Sequence, residues 1–288
     1  MRIKVGVHPN NLHLFLAKRW DDAFGDCDVT FVPYAEGRSS ARQLEEGSID
    51  VCGTGSTPPI IAQANGLDVL YIAASASRPA NGGIVISPSS RIRCVEDLKG
   101  CRIALLDGSF QTYLLARVLE TAGLRLPDVK RVELSPGASL HALSNGEVEA
   151  WVAMAPLLDQ SQKAGKASLL AGCGDTIPNR SVFWTLRRRE LPVDELDAFV
   201  RSLVAFGEKI SSEPDRAARL LADEGADQAD LAAWKKAVET RDWHIVPASP
   251  AIIAEQQVEA DTLLRHGDLL KKLALADAAR APSSSVIA

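Results

Sequence analysis

Two groups of residues in this 288-residue chain have the types and spacing for chemistry. The first is Gly53-Thr54-Gly55-Ser56-Thr57-Pro58-Pro59, directly after the apolar Val51-Cys52. The glycines let the backbone turn sharply, and Ser56 or Thr57 can cap a helix with Pro58 at its first position. Such a helix start aims backbone N–H groups and small hydroxyls at one spot, which suits an anion. A plain strand–turn–helix connection uses the same residues. The second group pairs His8, which follows the first strand and precedes Pro9 and Asn10, with Cys52, which ends another strand. An imidazole beside a thiol can hold it as a nucleophilic thiolate and relay its proton. Their bland readings are a solvated loop histidine and a small buried hydrophobe.

These residues must be positioned by an alternation of strands and helices. Apolar runs predict strands at residues 1–7, 29–34, around 51, 69–74 and 82–86, with helices at 12–20, 39–46 and after Pro58. A second unit follows, with strands at 102–106, 129–134 and 149–154 and helices at 108–120 and 139–144. Residues 182–186 cross back, and helices are expected around 195–210, 215–223, 229–239 and 250–264. Residues from 276 onward, with Pro282 and three serines, read as frayed. Strand–helix alternation predicts mostly parallel sheets in an α/β fold. Two crossings divide the chain into a discontinuous lobe of residues 1–82 and 180–288 and a second lobe of residues 83–179, hinged near Gly83 and Arg180. Ligands of open sheets sit beyond the carboxyl ends of strands, where His8, Cys52–Thr57, Gly108–Thr112 and Met154–Pro156 converge on an interlobe cleft. Trp184, in the return strand, either lines that cleft or fills the core.

Composition limits the choices. Hydrophobic content of 46% and charged content of 24% are those of a globular chain, and a net charge of −5 gives no pull towards nucleic acid. No apolar run has the length of a membrane span. Five scattered cysteines are an odd set and read as structural thiols, with Cys94 and Cys101 flanking a short helical turn. No cluster has metal-ligand spacing, and neither a P-loop nor a dinucleotide fingerprint is present, so neither a metal nor a cofactor is expected. The chain as it stands opens on a strand with no signal peptide, which reads as cytoplasmic, or periplasmic if the chain is a processed mature form.

Gly47-Ser48-Ile49-Asp50 followed by Thr54-Gly55-Ser56-Thr57-Pro58-Pro59 and an apolar helix ending at Gly66 resembles the alkanesulfonate, nitrate and taurine group of ABC-transporter solute-binding proteins. Val95-Glu96-Asp97-Leu98-Lys99-Gly100, Gly146-Glu147-Val148-Glu149-Ala150-Trp151 and Ala254-Glu255-Gln256-Gln257 agree in order and spacing, so the resemblance covers nearly the whole chain. It implies a two-lobed, type II periplasmic-binding-protein-like fold and a monomer that binds a small organic anion, a sulfonate or relative, with an ABC permease as partner if exported. Ser56 and Thr57 match the family's anion-binding helix start, Gly108-Ser109 its counterpart in the second lobe, and Asn10, Gly55, Thr112 and Trp184 complete the expected ligand set. Two departures stand out. Gly53 replaces a frequent Trp, and Met154-Ala155-Pro156 replaces Trp-Asp-Pro, changes that point to a larger or more apolar ligand. Some cytoplasmic enzymes are similar, including a sulfinate desulfinase. The alternative is therefore a desulfinase- or decarboxylase-like enzyme using His8 and Cys52.

Overall fold

The computed structural model describes residues 2–25, 27–174, 176–223 and 229–280. The tail expected to fray is only partly within that range. Residues 276–280 are tied down: Ala278 is buried, and the Arg280 guanidinium pairs with Asp197 at 2.6 Å. The final eight residues lie outside the described range.

The first sheet is built from β1 (Ile3–Val7), β2 (Val29–Pro33), β3 (Val51–Gly55), β4 (Val69–Ser75) and two later strands. Between them run α1 (Leu12–Ala17), α2 (Ser40–Glu45) and α3 (Thr57–Ala64). The second sheet takes β5 (Gly82–Ile86), β6 (Arg102–Leu105), β7 (Lys130–Glu133), β8 (Ala150–Met154) and β9 (Ser168–Gly172), with α4 (Phe110–Glu120), α5 (Pro136–Ser144) and α6 (Leu157–Lys163). The chain then returns through β10 (Ser181–Leu186), α7 (Val193–Ser212), α8 (Pro214–Asp223), α9 (Leu231–Glu239), β11 (Ile245–Pro247) and α10 (Pro250–Arg265). Sequence periodicity missed α6, β9 and β11. The latter two are edge strands that are only partly buried, β9 with Ser168 and Leu169 exposed and β11 only three residues long, so neither carries the pattern of a central strand.

Strand order is β11-β4-β10-β3-β1-β2 in the first sheet and β7-β6-β8-β5-β9 in the second. Both sheets are mixed. β1 lies parallel to β2 and β3, and β6 parallel to β7 and β8. The strands beside the two crossings, β5 and β10, run antiparallel to their neighbours because the chain enters each sheet there from the other lobe. Each sheet is covered on both faces. One face of the first packs α1, α7, α8 and α9 around Phe199, Phe206, Trp234 and Trp243, and the other packs α3 and α10 around Tyr71 and Trp184.

The two crossing segments lie side by side. Arg78 N–H donates to Pro178 O, Gly174 N–H to Pro79 O, and Ser181 N–H to Ser75 Oγ. The lobes also meet away from the crossings. Arg131 pairs with Asp268, Arg265 pairs with Glu120, and Leu126 N–H donates to His266 Nδ1.

Candidate ligand-binding cleft

A cavity of about 70 Å³ lies between the lobes at the carboxyl ends of β1, β3, β4 and β8. Its polar wall includes His8, Asn10, Arg78, Asn81 and Ser109, and its apolar wall Pro58, Leu106, Phe110 and Met154. Arg38 closes one side. Its guanidinium bonds Glu36 within the first lobe, and Glu133 at 2.6 Å and the Asp107 carbonyl at 3.2 Å across the cleft.

Arg78 is the residue that sequence reading missed. Ser77-Arg78-Pro79-Ala80-Asn81 follows β4 at its carboxyl end, the same positional signal that pointed to His8 and Thr57. The side chain is 7% exposed. Nε donates to the Asn179 carbonyl at 2.5 Å and Nη2 to Asn179 Oδ1 at 3.1 Å, so one crossing segment grips the other. Asn179 holds a left-handed φ of 47°, which asparagine tolerates better than most residues. Among the described residues no carboxylate pairs with Arg78. Burial first, and repulsion from Arg180 after it, bring its pKa down to about 10, still well above neutrality. A buried cation without a counter-ion is costly, and a cavity-lining one is an anion acceptor.

His8 is buried, and its Nε2–H donates to the Gly53 carbonyl at 2.9 Å. Nδ1 is buried and has no hydrogen-bond partner among the described residues. Burial lowers the imidazole pKa to about 4 against smaller raising effects of Gly53 and Glu36, so the ring is neutral at pH 7. Nδ2 of Asn81, on the same wall, is likewise buried without a partner among the described residues.

Of the other expected ligand residues, Asn10, Gly55 and Ser109 line the cavity, while Ser56, Thr57, Gly108, Thr112 and Trp184 do not. Ser56 is the N-cap of α3, yet its hydroxyl makes no capping bond and turns to Glu259, as does that of Thr57, which donates to Glu259 Oε1 at 2.5 Å. Pro58 and Pro59 carry no N–H, so the first turn of α3 offers fewer donors than its position implies. In the second lobe, Gly108 has a φ of +67°, which glycine adopts without strain. Ser109 caps α4 by accepting from Gln111 N–H at 3.2 Å. Thr112 Oγ1 donates to Asp107 Oδ1 and accepts from Gly108 N–H, fixing that turn from behind. Trp184 is fully buried, with Nε1–H donating to Thr54 Oγ1 at 3.0 Å, and it belongs to the core.

The proposed nucleophile fails on geometry. Alternation along β3 sends the Cys52 side chain into the core with Ile49, Ile60 and Tyr71. Its thiol lies 3.7 Å from the Trp184 carbonyl, and complete burial holds it protonated. His8 spends its N–H on Gly53, so Cys52 and His8 do not form a catalytic pair. Gly53 opens no space either. A Cβ there would lie 2.4 Å from Asn11 Nδ2 and 2.8 Å from the Phe183 ring, so these two side chains occupy the volume a Trp would take. The expectation of a larger ligand has no support at this position.

A two-lobed α/β chain with a polar cleft at the crossings defines the class of periplasmic-binding-protein-like folds. The family model described as NMT1/THI5 like matches residues 25–171, half of the chain, and the chain belongs to that family. It is 29% identical over 284 residues to a protein named as an aliphatic sulfonates-binding protein of Bacillus subtilis, covering 96% of this chain and 84% of that one. A protein so named in Escherichia coli K12 is 29% identical over 207 residues, 70% of this chain and 64% of that protein's length. The solved alkanesulfonate-binding protein SsuA from Xanthomonas axonopodis pv. citri, bound to MOPS, is similar at a TM-score of 0.85 and 28% identity, covering 97% of this chain and 98% of that one. Among the described residues no helix is long and apolar enough to cross a membrane, and no cluster of His, Cys, Asp and Glu could hold a metal ion.

Proposed function

We propose that this chain is a solute-binding protein that captures a small organic anion, a sulfonate or close relative, between its lobes and delivers it to an ABC permease. The observation that carries this reading is Arg78, a buried guanidinium on the cavity wall with no carboxylate partner among the described residues. Asn81 Nδ2 and the start of α4 at Ser109 supply further donors, and Phe110, Leu106 and Met154 receive the carbon chain. The relatives named for sulfonate binding support the choice of head group. Capture for import places the protein on the solute's side of the membrane, the periplasmic alternative. A capture protein needs no nucleophile, which agrees with the inert position of Cys52.

Calorimetry on the full chain tests the reading. Ethanesulfonate is expected to bind saturably at one site, and ethyl methyl sulfone, which keeps the shape without the charge, is expected to give no heat. Equal binding of both compounds, or of neither, would refute anion capture at this site.

A further inference from the structure

Glu259 is a buried carboxylate that anion capture itself does not use. It lies on α10 and is 1% exposed. Its Oε1 accepts from the Thr57 hydroxyl at 2.5 Å, and the Ser56 hydroxyl also bonds it. No cation pairs with it among the described residues. Ser56 and Thr57 stand between Gly55 and Pro58, both of which line the cavity. One turn of backbone therefore has the cavity on one side and a negative charge on the other. Two anions would face each other across that turn, in surroundings too dry to screen them.

We propose that capture of the anion is coupled to protonation of Glu259, so that the protein takes up a proton as it binds its solute and releases one as it lets go. This rests on the anion-binding reading of the cavity. The proton comes from solvent and the carboxylate becomes a neutral carboxyl, which keeps its hydrogen bonds to the two hydroxyls. The other groups facing Glu259 do not substitute for it. Tyr71 on β4 donates its hydroxyl to Gln63, and burial raises its pKa and that of Tyr113 on α4. Glu255, on the same helix, is paired with Arg180. On α4, Glu120 is paired with Arg117 and Arg265. Burial already raises Glu259 to about 7, against the lowering effect of its two hydroxyl partners, so the coupling falls in the neutral range. A bound anion disfavours the charged carboxylate, so affinity rises as pH falls through neutrality.

The test is titration of the full chain with ethanesulfonate at pH 7 in phosphate and in Tris, two buffers of different ionisation enthalpy. The expected result is uptake of a few tenths of a proton per anion by the wild type and none by Glu259→Gln, whose affinity stays flat between pH 6 and 8. No uptake by the wild type overturns the coupling, and uptake that persists in Glu259→Gln assigns the proton elsewhere, His8 foremost. Should Glu259→Gln not fold, Thr57→Val removes one donor to the carboxylate and is expected to move the midpoint of the affinity profile upward, and an unmoved midpoint overturns the proposal. Failure of ethanesulfonate to bind at every pH refutes anion capture, and the coupling with it. Binding without linked protons refutes the coupling alone.

Discussion

Replacing Arg78 by Met, which keeps most of the volume and removes the charge, is expected to separate binding from folding. A monoanion about 4 Å from the guanidinium, at an effective dielectric near 20, is held by about 4 kcal/mol. A charge-assisted hydrogen bond contributes on the order of 1.5–3 kcal/mol by itself. The loss should therefore be about 3 kcal/mol or more, at least roughly a hundredfold in Kd. The ligand-free protein responds differently. Lowering of the Arg78 pKa to about 10 reflects about 3 kcal/mol opposing the buried charge. Met relieves that opposition but leaves two Asn179 oxygens without their donor, at ~1–3 kcal/mol each. These effects nearly offset, so stability should change by no more than about 3 kcal/mol in either direction. Calorimetric titration with ethanesulfonate reads the first quantity and urea unfolding the second. Because the pair is buried, raising salt from 50 to 500 mM should change the wild-type affinity little. An Arg78→Met protein that folds and binds within threefold of the wild type would refute the placement of the anion.

Arg38→Gln removes the link from the first lobe to Glu133 across the cleft, a half-exposed ion pair of roughly 0.2–1 kcal/mol. Stopped-flow measurement should find solute release about two- to fivefold faster with an unchanged association rate, and a slower association instead would deny Arg38 its closing role. Acid should destabilise the fold through two buried imidazoles, because burial brings His8 to about 4 and His13 to about 3 in the native state. A folded pKa below the unfolded value of a histidine means that this stability is present above about pH 6.5 and is lost as pH falls towards 4 and 3. Each contributes about 1.4 kcal/mol per pH unit across its window, and Glu259, raised to about 7, opposes one of them down to the usual carboxylate range. Urea midpoints between pH 7 and 4 should fall steadily, and a flat profile would contradict the buried neutral state of these rings.

Local physics made much of this chain legible before any fold was known. Period-two and period-3.6 runs located β1 to β8, and the residues after those strands marked the cleft, because strand ends and helix starts depend on neighbours in sequence. Ser109 caps α4 through a partner two residues away, a bond that lies within the reach of local sequence. The partners of other polar groups lie beyond it. Thr57 meets Glu259 across 202 residues and Arg78 meets Asn179 across 101, and packing alone decides that the hydroxyl faces a carboxylate while the guanidinium faces the cavity. The side of the sheet that receives Cys52 is likewise set by which helices cover β3. A residue's type states which bonds it can make. Burial decides which of them it has already spent, and only the tertiary structure shows that Thr57 is committed and Arg78 still has charge to offer.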